Sequence, residues 1–267
     1  MEKIGLIAGN KRFPIIFAEA ARKKGYRVVA VGIRGDTARN LKKYVHTLHW
    51  LNLRDFSQMF DLFKQEGITK ITMAGQISPW RLFSKEVGQD PTLGELLDSL
   101  RDKKADTIFS AVAQKLAAHG FELMDSTALI GEHLPGKGTL TQRSPSFSEW
   151  EDIYFGLELA REIAFLDIGQ TVAVKHKAIV AVEALEGTDN LIRRAGKIAR
   201  AGLTIVKVSK PHQDLRFDIP VVGLNTIKNI IRAKGRCLAV EAGKTLFIDK
   251  DSSIRLADKK AIAVVAV

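Results

Sequence analysis

Asp214 and Asp218 stand four residues apart in the run 210–220, with Arg216 between them and Lys207 and Lys210 just before. Carboxylates hold hard cations through oxygen, and neighbouring cations offset phosphate charge, so this pattern suits a metal–phosphate site. Pro211 and Pro220 stiffen the loop. The competing reading is a solvated loop with ordinary ion pairs, which contribute little. A second acidic run, residues 183–190, follows an apolar stretch and precedes a helical pattern. Glu183 and Glu186 end the strand there. Thr188 or Asp189 could cap the helix, whose free N–H groups would bind a phosphate or carboxylate. Arg193 and Arg194 lie one turn further on, within reach of an anion. A third run, Gly9-Asn10-Lys11-Arg12, occupies the first strand–helix turn, where backbone N–H groups and two cations suit a diphosphate or nucleotide. Gly75-Gln76 closes a later strand and is expected at the same edge, lining the same cleft.

Other chemistries find less support. The dinucleotide fingerprint G-x-G-x-x-G is missing, since only Gly9 is present. Residues 131–138 resemble a phosphate-binding P-loop, but Gly138 stands where the final Ser or Thr belongs and no helical pattern follows. His46 and His49 lack a third ligand nearby in sequence and read as packing or cleft residues beside Trp50. No G-x-S-x-G elbow supports serine hydrolase chemistry.

Such clusters work only if strands deliver them to one edge. Residues 4–8, 27–33 and 70–74 are short apolar runs, the first and third closed by Gly9 and Gly75. Helical spacing marks 15–24 and 55–65, stopped by Gly25 and Gly67. This alternation builds a Rossmann-like parallel sheet with right-handed crossovers, whose ligands sit beyond the carboxyl ends of its strands. Helices at 92–100 and 106–119 and a strand at 121–124 complete the first half. Residues 131–148, rich in Gly, Pro, Ser and Thr and without periodicity, read as a linker. A helix over 149–165 opens the second half. There follow a hairpin of strands 170–174 and 178–184, a helix over 189–201, a strand at 204–208, a helix over 226–233 and a strand at 237–240. Residues 244–248 and 261–267 are expected to close that sheet. The expected fold is a two-domain α/β protein: a Rossmann-like nucleotide-binding domain over 1–130, a linker over 131–150 and an α/β catalytic domain over 151–267.

A chain of 267 residues suffices for two such domains. The formal charge of +11 favours anionic partners: nucleotides, phospholipid surfaces or nucleic acid. The single cysteine, Cys237, rules out an internal disulfide and fits a reducing cytoplasm. No apolar run approaches the roughly 20 residues of a spanning helix, and the N-terminus reads as a strand rather than a signal peptide. Any membrane contact is therefore expected to be peripheral.

The run Leu166-Asp167-Ile168-Gly169-Gln170, the run 182–189, the run from Lys210-Pro211 through Gln213-Asp214-Leu215-Arg216-Phe217-Asp218-Ile219-Pro220 to Gly223, and the tail 238–243 resemble, in order, the UDP-2,3-diacylglucosamine pyrophosphatase family of the LpxI type. The resemblance covers nearly the whole chain. It implies a metal-dependent hydrolase of lipid A biosynthesis that converts UDP-2,3-diacylglucosamine to 2,3-diacylglucosamine 1-phosphate (lipid X) and UMP. It further implies location on the cytoplasmic face of the inner membrane, and two domains that hold substrate between them. The family's essential aspartate maps to Asp214 or Asp218, with Asp218 preferred. The expected mechanism is in-line attack by metal-bound water. Asp214, Asp218 and one or both of Glu183 and Asp189 would hold Mg²⁺, or another divalent cation such as Mn²⁺, or orient the water. Arg216, Lys207, Lys210 and Arg193 would neutralise charge. Gly9, Asn10, Lys11, Gly75, Gln76, Gln170 and Thr188 would contact substrate. Expected partners are a lipid-linked UDP-sugar and the inner-membrane surface, without nucleic acid and with a homodimer left open. Two other classes compete: a Rossmann-type nucleotide-sugar oxidoreductase or transferase, and a non-enzymatic nucleic-acid binder.

Overall fold

Apolar runs bounded by turns become parallel strands in a first unit made of Met1–Gly131 and Asp214–Asp218. The computed structural model describes residues 1–77, 81, 86–102, 105–211, 213–216 and 218–267, the side chains of Ala105 and Asp106 excepted. His212 and Phe217 of the 210–220 cluster lie outside the described residues. The first unit runs β1 (Lys3–Ala8), α1 (Phe13–Lys23), β2 (Arg27–Ile33), β3 (Thr47–Leu51), α2 (Gln58–Gln65), β4 (Lys70–Ala74), α3 (Pro91–Asp98), α4 (Ala105–Ala118) and β5 (Glu122–Leu123). Its sheet has the order β3-β2-β1-β4-β5 with every pairing parallel, an order used by doubly wound sheets. Pro14 opens α1, where its missing N–H has no intrahelical partner to lose. Met59, Phe60 and Phe63 of α2 pack with Val112 and Leu116 of α4 against Val29, Val31 and Ile71.

The second unit comprises Glu132–Gln213 and Ile219–Val267. It runs β6 (Gly138–Thr139), α5 (Phe147–Phe165), β7 (Thr171–Lys175), β8 (Ala178–Val182), α6 (Thr188–Ala199), β9 (Thr204–Lys207), β10 (Val221–Gly223), α7 (Leu224–Arg232), β11 (Cys237–Val240), β12 (Leu246–Ile248), α8 (Lys250–Lys259) and β13 (Ala263–Ala266). Its main sheet has the order β6-β13-β11-β9-β7-β8. Period-two alternation sorts the strands' side chains. Val172, Val174, Val206 and Val265 pack on Ile153, Leu157 and Ala160 of α5. Ala173, Ile205, Leu238 and Val264 pack on Leu191 and Ile192 of α6, Ile227 and Ile230 of α7, and Ala257 of α8. A reciprocal capping box between Ser146 and Glu149 starts α5, which satisfies two otherwise orphaned donors.

The two-domain α/β architecture is the one the sequence implies. Three local readings differ, and two elements went unread. The stretch taken as linker is stitched to the second sheet: β6 pairs antiparallel with β13, and Pro135 accepts a hydrogen bond from Gly243 N–H. Its backbone groups thus find partners without any side-chain periodicity to advertise it. Residues 246–248 pair with β10 in a separate two-stranded sheet rather than closing the main one. The edge strand β3 and the polar helix α8 were not legible, because each offers only a narrow apolar signal. The span 151–267 is also interrupted, since Asp214–Asp218 groups with the first unit.

Candidate functional site

In the second unit, strand pairing brings four polar residues to one edge. Thr171 begins β7 and lies opposite Lys207, the last residue of β9. Glu183 follows β8, and its N–H donates to the Thr171 carbonyl at 2.9 Å. Glu241 follows β11, whose Val240 pairs with Lys207. This is the carboxyl edge of the parallel strands β9, β11 and β13, where open sheets bind ligands.

Lys207 is 5 % exposed. A buried ammonium is stable only when it is paired and hydrogen-bonded. Its Nζ donates to Thr188 Oγ1 at 2.7 Å and to Thr171 Oγ1 at 3.4 Å, and lies 3.9 Å from Glu183 Oε2. Thr188 Oγ1 in turn donates to Glu183 Oε1 at 2.9 Å. Glu183 is 8 % exposed, and its Oε2 has no hydrogen-bond partner among the described residues. Gly169 makes the tight approach possible: a Cβ there would fall 2.1 Å from the Glu183 carbonyl oxygen. The Thr188 or Asp189 cap expected from the sequence does not form, because Gly187 is the N-cap and Thr188 turns its hydroxyl to Glu183.

The loop after β9 is anchored from below. Glu241 Oε2 accepts from Ser209 N–H at 2.8 Å and from the Ser209 hydroxyl, and Arg161 of α5 reaches Oε1 at 3.2 Å. Burial raises the Glu241 pKa, but the Ser209 bonds and Arg161 outweigh it and hold the carboxyl below its ordinary value. Gln170 Nε2 donates to Gln213 Oε1 at 3.1 Å, which also accepts from Lys210 N–H, and Gln213 Nε2 is buried without a partner among the described residues. Lys210 pairs with Asp167 at 2.7 Å. Arg193 is exposed and donates to the Asp189 carbonyl of its own helix, so it does not join this group. Arg194 pairs with Glu186 instead.

In the first unit, β1 and β4 end in a backbone crossing. Gly9 N–H donates to the Ala74 carbonyl and Asn10 N–H to the Gln76 carbonyl, at 2.8 and 2.7 Å. These donors, expected to be free for a diphosphate, are therefore used within the fold. Gly75 has φ +84°, and a Cβ there would meet the Asn10 carbonyl oxygen at 2.6 Å; one on Gly9 would meet Gln76 O at 2.6 Å. Only glycine suits either position. Lys11 is exposed in the left-handed region at φ 63°. Asn10 Oδ1 is buried and unpartnered among the described residues.

Asp214 and Asp218 form one turn of this unit, with Asp218 N–H on the Asp214 carbonyl at 2.9 Å. Ser126 holds the turn, its N–H and hydroxyl both donating to the Leu215 carbonyl. Arg216 grips Asp214 with Nε and Nη2, at 2.9 and 2.6 Å. That fork holds the Asp214 carboxyl below its ordinary pKa. Of the four carboxylates expected to share a metal, Asp214 and Asp218 belong to the first unit and Glu183 and Asp189 to the second. Among the described residues no three His, Cys, Asp or Glu side chains gather as metal ligands. Mg²⁺ needs only one or two carboxylates where phosphate oxygens and water supply the rest, so the Asp214–Asp218 turn has suitable donors.

A wider hollow of about 590 Å³ opens at the other end of the second sheet, beside Gly202, Lys234, Arg236 and Lys260. It holds no carboxylate and lies away from the polar edge. Thr171 and Glu241 are site-edge residues that the sequence reading missed. The signal that singled out Glu183, a carboxylate directly after an apolar strand, also marks Glu241. Thr171 becomes visible only once β7 is paired with β9.

A family model for the LpxI N-terminal domain matches residues 3–133, and one for the LpxI C-terminal domain matches residues 136–265. The chain belongs to the LpxI family. A relative from Caulobacter vibrioides, named UDP-2,3-diacylglucosamine pyrophosphatase LpxI, is 30 % identical over 277 aligned positions, covering 100 % of this chain and 98 % of its own. Two of the solved structures that match are only slightly alike. N5-carboxyaminoimidazole ribonucleotide synthetase from Thermotoga maritima has a TM-score of 0.26 at 16 % identity, over 71 % of this chain and 43 % of that one. The biotin carboxylase domain of the Hydrogenobacter thermophilus 2-oxoglutarate carboxylase has a TM-score of 0.28 at 14 % identity, over 77 % of this chain and 44 % of that one. The LpxI chain thus spans less than half of each, and no function is carried over from them.

Proposed function

We propose that this chain hydrolyses the diphosphate of UDP-2,3-diacylglucosamine, releasing 2,3-diacylglucosamine 1-phosphate (lipid X) and UMP, as a step of lipid A biosynthesis. The observation that carries the reading is the end-to-end relation to the Caulobacter pyrophosphatase, covering the whole of this chain. The geometry is compatible with it. Lys207 presents a fixed positive charge at a strand edge, and such preorganised charge stabilises developing negative charge on phosphoryl oxygens. Glu183 Oε2, buried and open, is suited to accept a proton or a hydrogen bond from an incoming group. Asp214 and Asp218 would hold Mg²⁺ or Mn²⁺ beside the diphosphate, and Arg216 would keep Asp214 ionised. A bound divalent cation would lower the pKa of attacking water and polarise the phosphoryl group. Asp189 and Arg193 enter this reading only as neighbours of Thr188.

No helix among the described residues is long and apolar enough to cross a membrane. The proposed setting is the cytoplasmic face of the inner membrane, where the excess of basic residues would favour an anionic surface. A homodimer is compatible with this setting and is not required by it.

The test is turnover of the lipid nucleotide with Mg²⁺, using Asp218→Ala and Asp214→Ala. At least one should lose about 10²–10³-fold in rate. Near-normal rates for both would retire the assignment of these aspartates. Failure of the unaltered protein to release UMP would retire the function itself.

A further inference from the structure

Beyond the carboxyl ends of β2 and β3 the first unit has a hollow of about 480 Å³, lined by Arg34, Gly35, Thr37, Arg39, Lys42 and Trp50. That volume falls within the range of small-molecule sites, about 300–1,000 Å³. Its walls are built rather than loose. Gly35 takes φ +89°, and a Cβ there would lie 2.8 Å from Arg81 Nη1. Arg81 is itself buried, donating to the Arg34 carbonyl and reaching Asp36 at 3.3 Å and Glu86 at 3.0 Å. The Thr37 hydroxyl accepts from Ile33 N–H and donates to the Ala8 carbonyl. That bond joins the wall to the end of β1, next to Asn10 and its unpartnered Oδ1. Trp50 pairs with Gly32 across β2 and β3, and a Cβ on residue 32 would lie 3.2 Å from the indole Cζ3. The missing side chain therefore lets the ring settle against the sheet.

The chemistry is an indole surrounded by three cations. Arg34, Arg39 and Lys42 have no carboxylate partner among the described residues. Uncompensated positive charge selects an anion, and an aromatic face selects a planar ring. A bare anion would leave Trp50 unused, and a nucleic-acid strand would need a longer groove. We infer that this hollow seats the nucleoside monophosphate part of the substrate, its base against Trp50 and its phosphate among Arg34, Arg39 and Lys42. The inference rests on the reading that the substrate is a UDP-linked lipid.

The experiment is calorimetric titration of the full chain with UMP, and separately with inorganic phosphate. Trp50→Ala should weaken UMP about tenfold or more, as loss of base stacking does, and Trp50→Phe should recover most of it. Arg39→Ala with Lys42→Ala should weaken UMP and flatten its salt dependence. These two cations are exposed, so the double variant decides the matter even if Trp50→Ala fails to fold. The inference falls if UMP does not bind, if inorganic phosphate binds as tightly, or if the folded variants bind UMP unchanged. It falls separately from the proposed activity, which is read by turnover of the lipid nucleotide. An unaltered protein that hydrolyses the lipid while its Trp50 variants bind UMP normally loses this site and keeps its function.

Discussion

The two sheet edges solve opposite problems. In the first unit the edge is shaped by backbone: Gly9 and Gly75 cross so closely that neither tolerates a side chain, and the nearby cations Lys11, Arg34 and Arg39 are exposed. In the second unit the edge is filled by side chains: Lys207 and Glu183 are buried with Thr171 and Thr188 between them, and Glu241 is buried beneath the next loop. Backbone shape is suited to receive a ligand through form and diffuse charge. A buried charged network is suited to hold fixed charge where water has been removed, at a risk to stability if any member is lost. The contrast suggests a division between recognition and chemistry, and substitutions in the two regions should differ in kind.

The largest effect is expected at Lys207. Lys207→Met leaves the Glu183 carboxylate buried without its cation, and breaking such a pair destabilises by about 3–5 kcal/mol. Adding Glu183→Gln removes the stranded charge, so the double variant should regain most of that stability while turnover stays low. Urea unfolding followed by circular dichroism reads the first quantity, and release of UMP the second. If Lys207→Met alone leaves the unfolding midpoint unchanged, the second edge is not an electrostatic network and the comparison collapses.

A smaller loss is expected from the backbone crossing. Gly75→Ala combines a left-handed residue with a contact of 2.6 Å to the Asn10 carbonyl oxygen, for about 2 kcal/mol or more. Gly67→Ala is the control: it has φ +70° with nothing within 4 Å, so the left-handed conformation alone contributes about 1 kcal/mol. The gap between the two variants, measured by thermal or urea unfolding, isolates the crossing. Equal losses would mean that the turns at Gly9 and Gly75 can part without penalty.

Much of this arrangement was legible in advance, for definable reasons. Residues 4–8, 71–74 and 204–208 are short, mainly apolar runs that stop abruptly, and each became a strand with a polar turn at its carboxyl end. Glu183 could be singled out because a charged residue directly after a buried strand has few structural roles, and Lys207 because it stands just before the acidic run 214–218. What the sequence could not supply was pairing. Thr171 gains its role only from lying opposite Lys207, and Thr188 abandons its cap because Glu183 stands beside it. The grouping of Asp214–Asp218 with the first unit depends on the Leu215 carbonyl finding Ser126, 89 residues away. No local periodicity encodes such contacts. The edge strand β3 escaped notice for a related reason: four of its five residues are only partly buried, so its alternation is faint.

The smallest stability effect, and the sharpest separation of stability from function, is expected at Arg216. The Arg216–Asp214 pair is two residues apart and partly exposed, with side chains 48 % and 30 % exposed. Exposed pairs of this kind contribute about 0–1 kcal/mol, so Arg216→Lys should leave the unfolding midpoint nearly unchanged. Its effect on chemistry should be larger, because an ammonium cannot reproduce the two-pronged grip of Nε and Nη2 on the carboxylate. The sign of the pH effect follows from the direction of the shift. Arg216 holds the Asp214 carboxyl below its ordinary pKa, so the ionised form persists as the medium is acidified. With lysine in place of the fork the carboxyl takes up its proton at higher pH, and a reaction that needs ionised Asp214 should fail earlier on acidification. The acid limb of the turnover profile in Arg216→Lys should therefore move upward in pH while the alkaline limb stays in place. An acid limb that does not move would show that Asp214 is a passive partner of Arg216, and would leave Asp218 as the carboxylate of that turn on which the chemistry depends.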